Sequence, residues 1–81
     1  MKVVLKLFAV ARQFAGTGTL ELELNSGATV SQLRVAFVEK CPEMAGLEHG
    51  LRFAVNSDYA ADDTVLREGD EVACIPPVSG G

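Results

Sequence analysis

Tryptophan is absent from the 81-residue sequence, histidine and tyrosine occur once each, and cysteine occurs twice. With a single histidine, His49, no Cys/His zinc set can be assembled. His49 stands in a glycine-flanked "EHG" segment and reads as a surface loop residue rather than a base or ligand. Cys41 and Cys74 do not form a C-x-x-C pair, and in a cytoplasmic chain a disulfide between them is not expected. Cys74 alternates with Val72 on one strand face and reads as a small buried hydrophobe. Cys41, near a helix C-terminus, is at the wrong end of the helix dipole for a stabilised thiolate. Walker-type and G-x-G-x-x-G loops are missing, and no serine has a base to serve it. The acidic runs Asp62-Asp63 and "EGDE" at 68–71 read as solvated turns before they read as a general acid–base couple. No metal site and no side-chain active site are expected.

Basic residues are also scarce. Seven Lys and Arg against eleven Asp and Glu leave a formal charge of −4, with no basic stripe. Nucleic-acid binding is not expected from that pattern, whereas an acidic surface suits basic protein partners. No apolar run approaches the ~20 residues a membrane span requires. The opening "MKVVLKLFAV" imitates a signal peptide, but Lys6 interrupts the run and the alternation is that of a strand. A cytoplasmic protein that engages no membrane is therefore expected. A chain of this length holds one domain with a modest core, burying a little over ~60% of its unfolded surface. A hydrophobic content of 48% is ample for it.

Residues 2–9 alternate, with Val3, Leu5 and Leu7 on one face and Val4, Lys6 and Phe8 on the other. "ARQFAGTG", with Gly16 and Gly18, reads as a chain reversal. "TLELEL" then alternates, Leu20, Leu22 and Leu24 inward, so the two strands read as a hairpin. Thr29 and Gln32 form a capping-box pattern at the start of a helix. Val30, Leu33, Ala36 and Phe37 form its buried stripe, and Pro42 stops it near Lys40 or Cys41. "LRFAVN", with Leu51, Phe53 and Val55 on one face, a weak strand at 57–60 and a last strand "DEVACI" complete the order β-β-α-β-(β)-β. The fold class is α+β: one helix covers one sheet face and leaves the other open. Alternation puts Phe8 and Ile75 on that open face, and Tyr59 joins them from the weak strand. Exposed apolar residues on an acidic domain point to an interface.

The sequence closes on Pro76-Pro77-Val78-Ser79-Gly80-Gly81. At average glycine usage, two glycines in a given pair of positions arise by chance at roughly 0.5%. Counting alone leaves open a frayed or processed end and a terminal carboxylate that is itself the working group. Neither proline can donate to a sheet, and both favour a stiff, extended departure. The last six residues span at most about 20 Å, and glycines at the tip would fit a narrow channel.

Three stretches carry a resemblance to a known family: "FAVARQFAG" at 8–16, "AVN" at 54–56 and, most specific, "LREGDEVACIPPVSGG" at 66–81. They resemble the sulfur-carrier subunits of the ubiquitin-like ThiS/MoaD family over essentially the whole chain. The Pro-Pro-Val before Gly-Gly is similar to the molybdopterin-synthase branch rather than the thiazole-pathway carriers. The resemblance implies a β-grasp, ubiquitin-like roll: a mixed sheet of four to five strands with one main helix, in residues 1–75, followed by a functional tail at 76–81. It implies that an E1-like (MoeB-type) adenylyltransferase, using ATP and magnesium, adenylates the Gly81 carboxylate. Sulfur from a sulfurtransferase or cysteine desulfurase then makes a thiocarboxylate. The tail enters a large (MoaE-type) subunit, in a heterotetramer, and sulfur passes to cyclic pyranopterin monophosphate to build a dithiolene. Gly81 is then the sulfur-bearing residue and Gly80 its slender neighbour. Phe8, Tyr59 and Ile75, with Pro76, Pro77, Val78 and Ser79 of the tail, would meet partners. No cofactor is expected on this chain itself. Arg12 matches an arginine of the family's "R-E/Q-x-x-G" segment, with no role assigned. A ubiquitin-like modifier conjugated through Gly81, a carrier for another sulfur pathway such as thiazole synthesis, and a plain interaction module are the alternatives.

Overall fold

A sheet with two parallel strands at its heart organises the molecule. The structure, a computed structural model, describes residues 1–76, without the side chain of Glu48. The expectations placed on Pro77, Val78, Ser79, Gly80 and Gly81 lie outside the described residues. The elements are β1 (Lys2–Leu7), α1 (Ala9–Ala15), β2 (Thr19–Glu23), α2 (Val30–Lys40), 3₁₀ turns at Pro42–Met44 and Glu48–Gly50, β3 (Arg52–Val55), β4 (Asp58–Ala60) and β5 (Glu71–Ile75). The strand order is β2-β1-β5-β3-β4. β1 and β5 run parallel and every other neighbouring pair is antiparallel. This is the β-grasp roll expected from the sequence.

Alternation sorts each strand into a buried and an open face. Val3, Leu5 and Leu7 of β1, Phe53 of β3 and Val72 and Cys74 of β5 are buried, with Val30, Leu33 and Phe37 of α2 in the same core. Leu22 is buried, whereas Leu20 and Leu24 pack only partly against it. The helix starts as its capping box dictates: the Thr29 N–H donates to Gln32 Oε1 at 2.8 Å, and the Gln32 N–H donates to Thr29 Oγ1 at 3.4 Å. These bonds satisfy first-turn donors that would otherwise lack partners. Ala36 departs from the expected stripe and is only half-buried, because it lies three and six residues from Leu33 and Val30 on the flank of their face.

One expected element is corrected. The first strand stops at Leu7 rather than running to residue 9, and "ARQFAGTG" at 11–18 is not all turn: Ala9–Ala15 form α1, and Gly16 ends it in the left-handed conformation at φ 75°, its N–H bonded to the Arg12 carbonyl. Gly16 is thus a helix stop. β1 and β2 still pair antiparallel, with Leu5 opposite Leu20, so the hairpin stands with a helix in its connection.

The β3–β4 connection is built on Asn56 and Ser57, both at positive φ (50° and 77°), between paired Val55 and Asp58. Two left-handed residues make the turn whose twist matches the flanking strands. Asn56 also binds the turn to β5: its N–H donates to the Glu71 carbonyl at 2.8 Å, its Nδ2 to Asp70 Oδ1 at 3.0 Å, and its Oδ1 accepts the Glu71 N–H at 3.1 Å.

Candidate functional site

The open face of the sheet meets the root of the tail at one end. Leu7 pairs with Cys74 across the parallel strands. Ile75, the next residue of β5, faces the other way, and Phe8, just past the end of β1, keeps an extended backbone (φ −131°, ψ 158°) as the residue that precedes α1. The chain turns sharply after Phe8, because Ala9 adopts φ 51°, a conformation that costs a non-glycine residue about 1 kcal/mol. The Phe8 ring is left 50% exposed. Ile75 is half-buried and Pro76 buried, so packing of the body continues one residue past β5.

β3 adds the next side chain. Arg52 pairs with Ile75, and Ala54, two residues on, pairs with Ala73 of β5 and Tyr59 of β4. Tyr59 is 67% exposed, and the Arg52 guanidinium lies 5.4 Å from the centroid of its ring. Ile75 and Arg52 share the end row, while Tyr59 stands one row in, level with Ala54 and Ala73, where the Arg52 side chain reaches it diagonally, so Phe8, Ile75, Arg52 and Tyr59 form a band at this end of the face. Of the three residues that alternation in the sequence assigns to the open face, Phe8 and Tyr59 are exposed and Ile75 is half-buried. Arg52 was missed there; its position beside Phe53 marks it as outward, but only strand pairing shows that it joins Ile75 to Tyr59.

A groove of about 520 Å³ adjoins this band, with Arg52, Tyr59, His49 and Gly50 in its wall. Its other cation is already engaged. Arg34 of α2 makes a two-pronged ion pair with Asp62, at 2.9 and 3.1 Å. It also donates to the Leu51 carbonyl at 3.2 Å and lies over the Phe53 ring. Arg34 is thus a tie between helix, strand and loop, which nothing in its sequence context announces. His49 is exposed in its 3₁₀ turn. Arg12 is exposed too, its side chain alongside Gly18.

The remaining candidates for chemistry are structural. Cys74 is fully buried, and burial pushes its thiol up to about 12. Cys41 is also raised, by burial first and then by the Glu43 carboxylate, whose Oε1 lies 3.9 Å from Sγ. Neither is a low-pKa nucleophile. The acidic runs do the work of turns: Asp70 accepts from the Arg67 N–H at 2.8 Å, Glu68 from the Lys2 N–H at 3.0 Å, and Glu71 pairs with Lys6 at 3.3 Å. Among the described residues, no group of three or more His, Cys, Asp or Glu could hold a metal, and no helix is long and apolar enough to cross a membrane.

Residues 5–81 match the ThiS family. Two relatives named molybdopterin synthase sulfur carrier subunit are 33% identical (Arabidopsis thaliana) and 35% identical (Chlamydomonas reinhardtii). Both alignments cover all of this chain, with 84% of the first relative and all of the second. The crystal structure of SAMP1 from Haloferax volcanii is similar over all of both chains, at 29% identity and a TM-score of 0.88. Subunit 1 and 2 of molybdopterin-converting factor from Helicobacter pylori, solved as a complex, give full coverage at 21% identity and a TM-score of 0.70, a likeness of fold. With its β-grasp sheet, its Gly-Gly sequence and a family match over residues 5–81, the chain belongs to the ThiS family of ubiquitin-like proteins.

Proposed function

We propose that this chain is the sulfur-carrier subunit of a molybdopterin synthase, working through the Gly81 carboxylate. The observation that carries the reading is full-length similarity, at 33–35% identity, to two proteins of that name. Both cysteine thiols are buried and raised, so the reading places the chemistry at Gly81 rather than at a thiol. A carboxylate, with a reference pKa near 3.3–3.7, is a poor electrophile. Adenylation by an E1-like enzyme, with ATP and magnesium held by that enzyme, gives it a leaving group. The terminal sulfur of a persulfide on a sulfurtransferase or cysteine desulfurase displaces AMP to give an acyl disulfide, and a second thiol cleaves the S–S bond, releasing the Gly81 thiocarboxylate and leaving a disulfide with the donor cysteine. A large subunit supplies the catalytic side chains, receives the tail and directs the sulfur to cyclic pyranopterin monophosphate, in a heterotetramer of the cytoplasm. Gly80, without a side chain, fits beside Gly81 in a narrow channel, with Pro76, Pro77, Val78 and Ser79 behind it. Phe8, Tyr59 and Ile75 lie on the face that the large subunit covers.

The likeness to SAMP1, titled a small archaeal modifier protein in a second structure from the same organism, favours one other reading, a protein modifier conjugated to lysines through Gly81. Reconstitution separates the two. Dithiolene formation from the pterin precursor, with the large subunit and the sulfur-charged chain, is the expected result. Lysine-linked conjugates in cell extract with no dithiolene formed would overturn it in favour of the modifier.

A further inference from the structure

The band at the tail root is apolar at Phe8 and Ile75, yet it carries a guanidinium. Among the described residues Arg52 makes no ion pair, whereas Lys2, Lys6 and Arg34 each pair with a carboxylate. Its stack on Tyr59 orients the planar guanidinium ahead of any encounter. The groove beside it leaves room for a further side chain, and Asp62, the carboxylate in its wall, is committed to Arg34. A partner covering Phe8 and Ile75 takes water away from Arg52 as well. A charge so covered is strongly unfavourable without a counter-charge, and an acidic chain of net charge −4 places few cations where such a contact can form.

We propose that Arg52 is a specificity-determining contact: the partner surface that covers Phe8, Ile75 and Tyr59 is apolar and carries a carboxylate that enters the groove and binds the Arg52 guanidinium. The inference rests on the proposed function for the identity of that partner, the large synthase subunit. Pairing across the interface then excludes surfaces that offer an apolar patch alone.

Calorimetric titration of the full chain with the large subunit from the same genome, at several salt concentrations, tests it. Arg52→Met keeps the apolar stem without the charge and Arg52→Glu inverts the charge. Each variant is first checked for an unchanged melting temperature, which the exposed position of Arg52 leads one to expect. Arg52→Met should weaken binding about tenfold and flatten its salt dependence, and Arg52→Glu about a hundredfold or more. Wild-type affinity and salt dependence in Arg52→Met would overturn the inference alone, provided the wild-type chain acquires sulfur from its activating enzyme. A wild-type chain that never acquires sulfur and never binds the large subunit would instead overturn the functional reading and, with it, this inference.

Discussion

Phe8 shows how much a single position can carry. It is half-exposed just past the end of β1, where the chain reverses at Ala9. In the proposed function a large subunit covers this face, so Phe8→Asp should lower affinity for it by about 2–4 kcal/mol, with little change in melting temperature. Unchanged affinity, read by titration, would remove Phe8 from the interface. Cys74 is the opposite case. Its thiol ionises near the ordinary 9.0 when unfolded but only at about 12 when folded. The unfolded chain therefore loses this proton first. The thiol's contribution is fully present below pH 9 and is lost as pH rises from there to about 12, with a slope of about 1.4 kcal/mol per pH unit. Urea unfolding across that range should show a shallower alkaline loss for Cys74→Ala than for the wild type, although the variant is less stable at neutral pH. Both positions were legible in the sequence, because strand alternation alone assigns a side chain to a face. Arg52 and Arg34 were not, because their partners come from other strands and loops.

The elements differ in how openly the sequence declares them. α2 has a capping box, an apolar stripe and a proline stop, and all three signals agree with its observed bounds. α1 has seven residues, of which only Ala11 is buried. A helix that short has no measurable periodicity and is not stable on its own, so in the sequence Gly16 and Gly18 signal only a turn. The β3–β4 turn is a subtler case. "AVN" marked family resemblance in the sequence, and the structure supplies its physical reason, since Asn56 both tolerates a left-handed backbone and makes three hydrogen bonds to Asp70 and Glu71. Asn56→Ala should cost about 2–3 kcal/mol, because it removes the side-chain bonds and places a poorer left-handed residue in the turn. Asn56→Gly keeps the turn and loses only the side-chain bonds, so it should fall between the two in chemical denaturation. Equal stability of all three would show that these bonds contribute nothing.

For the whole molecule, division of labour follows from where the core lies. The buried cluster runs from Val3 to Cys74, so the body is complete before the tail begins, save for the buried Pro76. In the proposed function the body presents a face and anchors a peptide, and neither of its buried thiols is a low-pKa nucleophile. Fold and face were legible because both rest on local alternation and end signals. The role proposed for the tail rests on family resemblance, since a glycine pair has no side-chain chemistry and counting leaves the terminal carboxylate as one of two readings. Residues added after Gly81 should accordingly stop sulfur loading and leave thermal unfolding unchanged. The most direct measurement is the intact mass of the chain after coexpression with an E1-like adenylyltransferase. The expected result is a gain equal to one oxygen exchanged for one sulfur, lost when Gly81 is deleted from a chain that still folds. A full-length chain that keeps its unmodified mass under those conditions would contradict a sulfur-carrying Gly81.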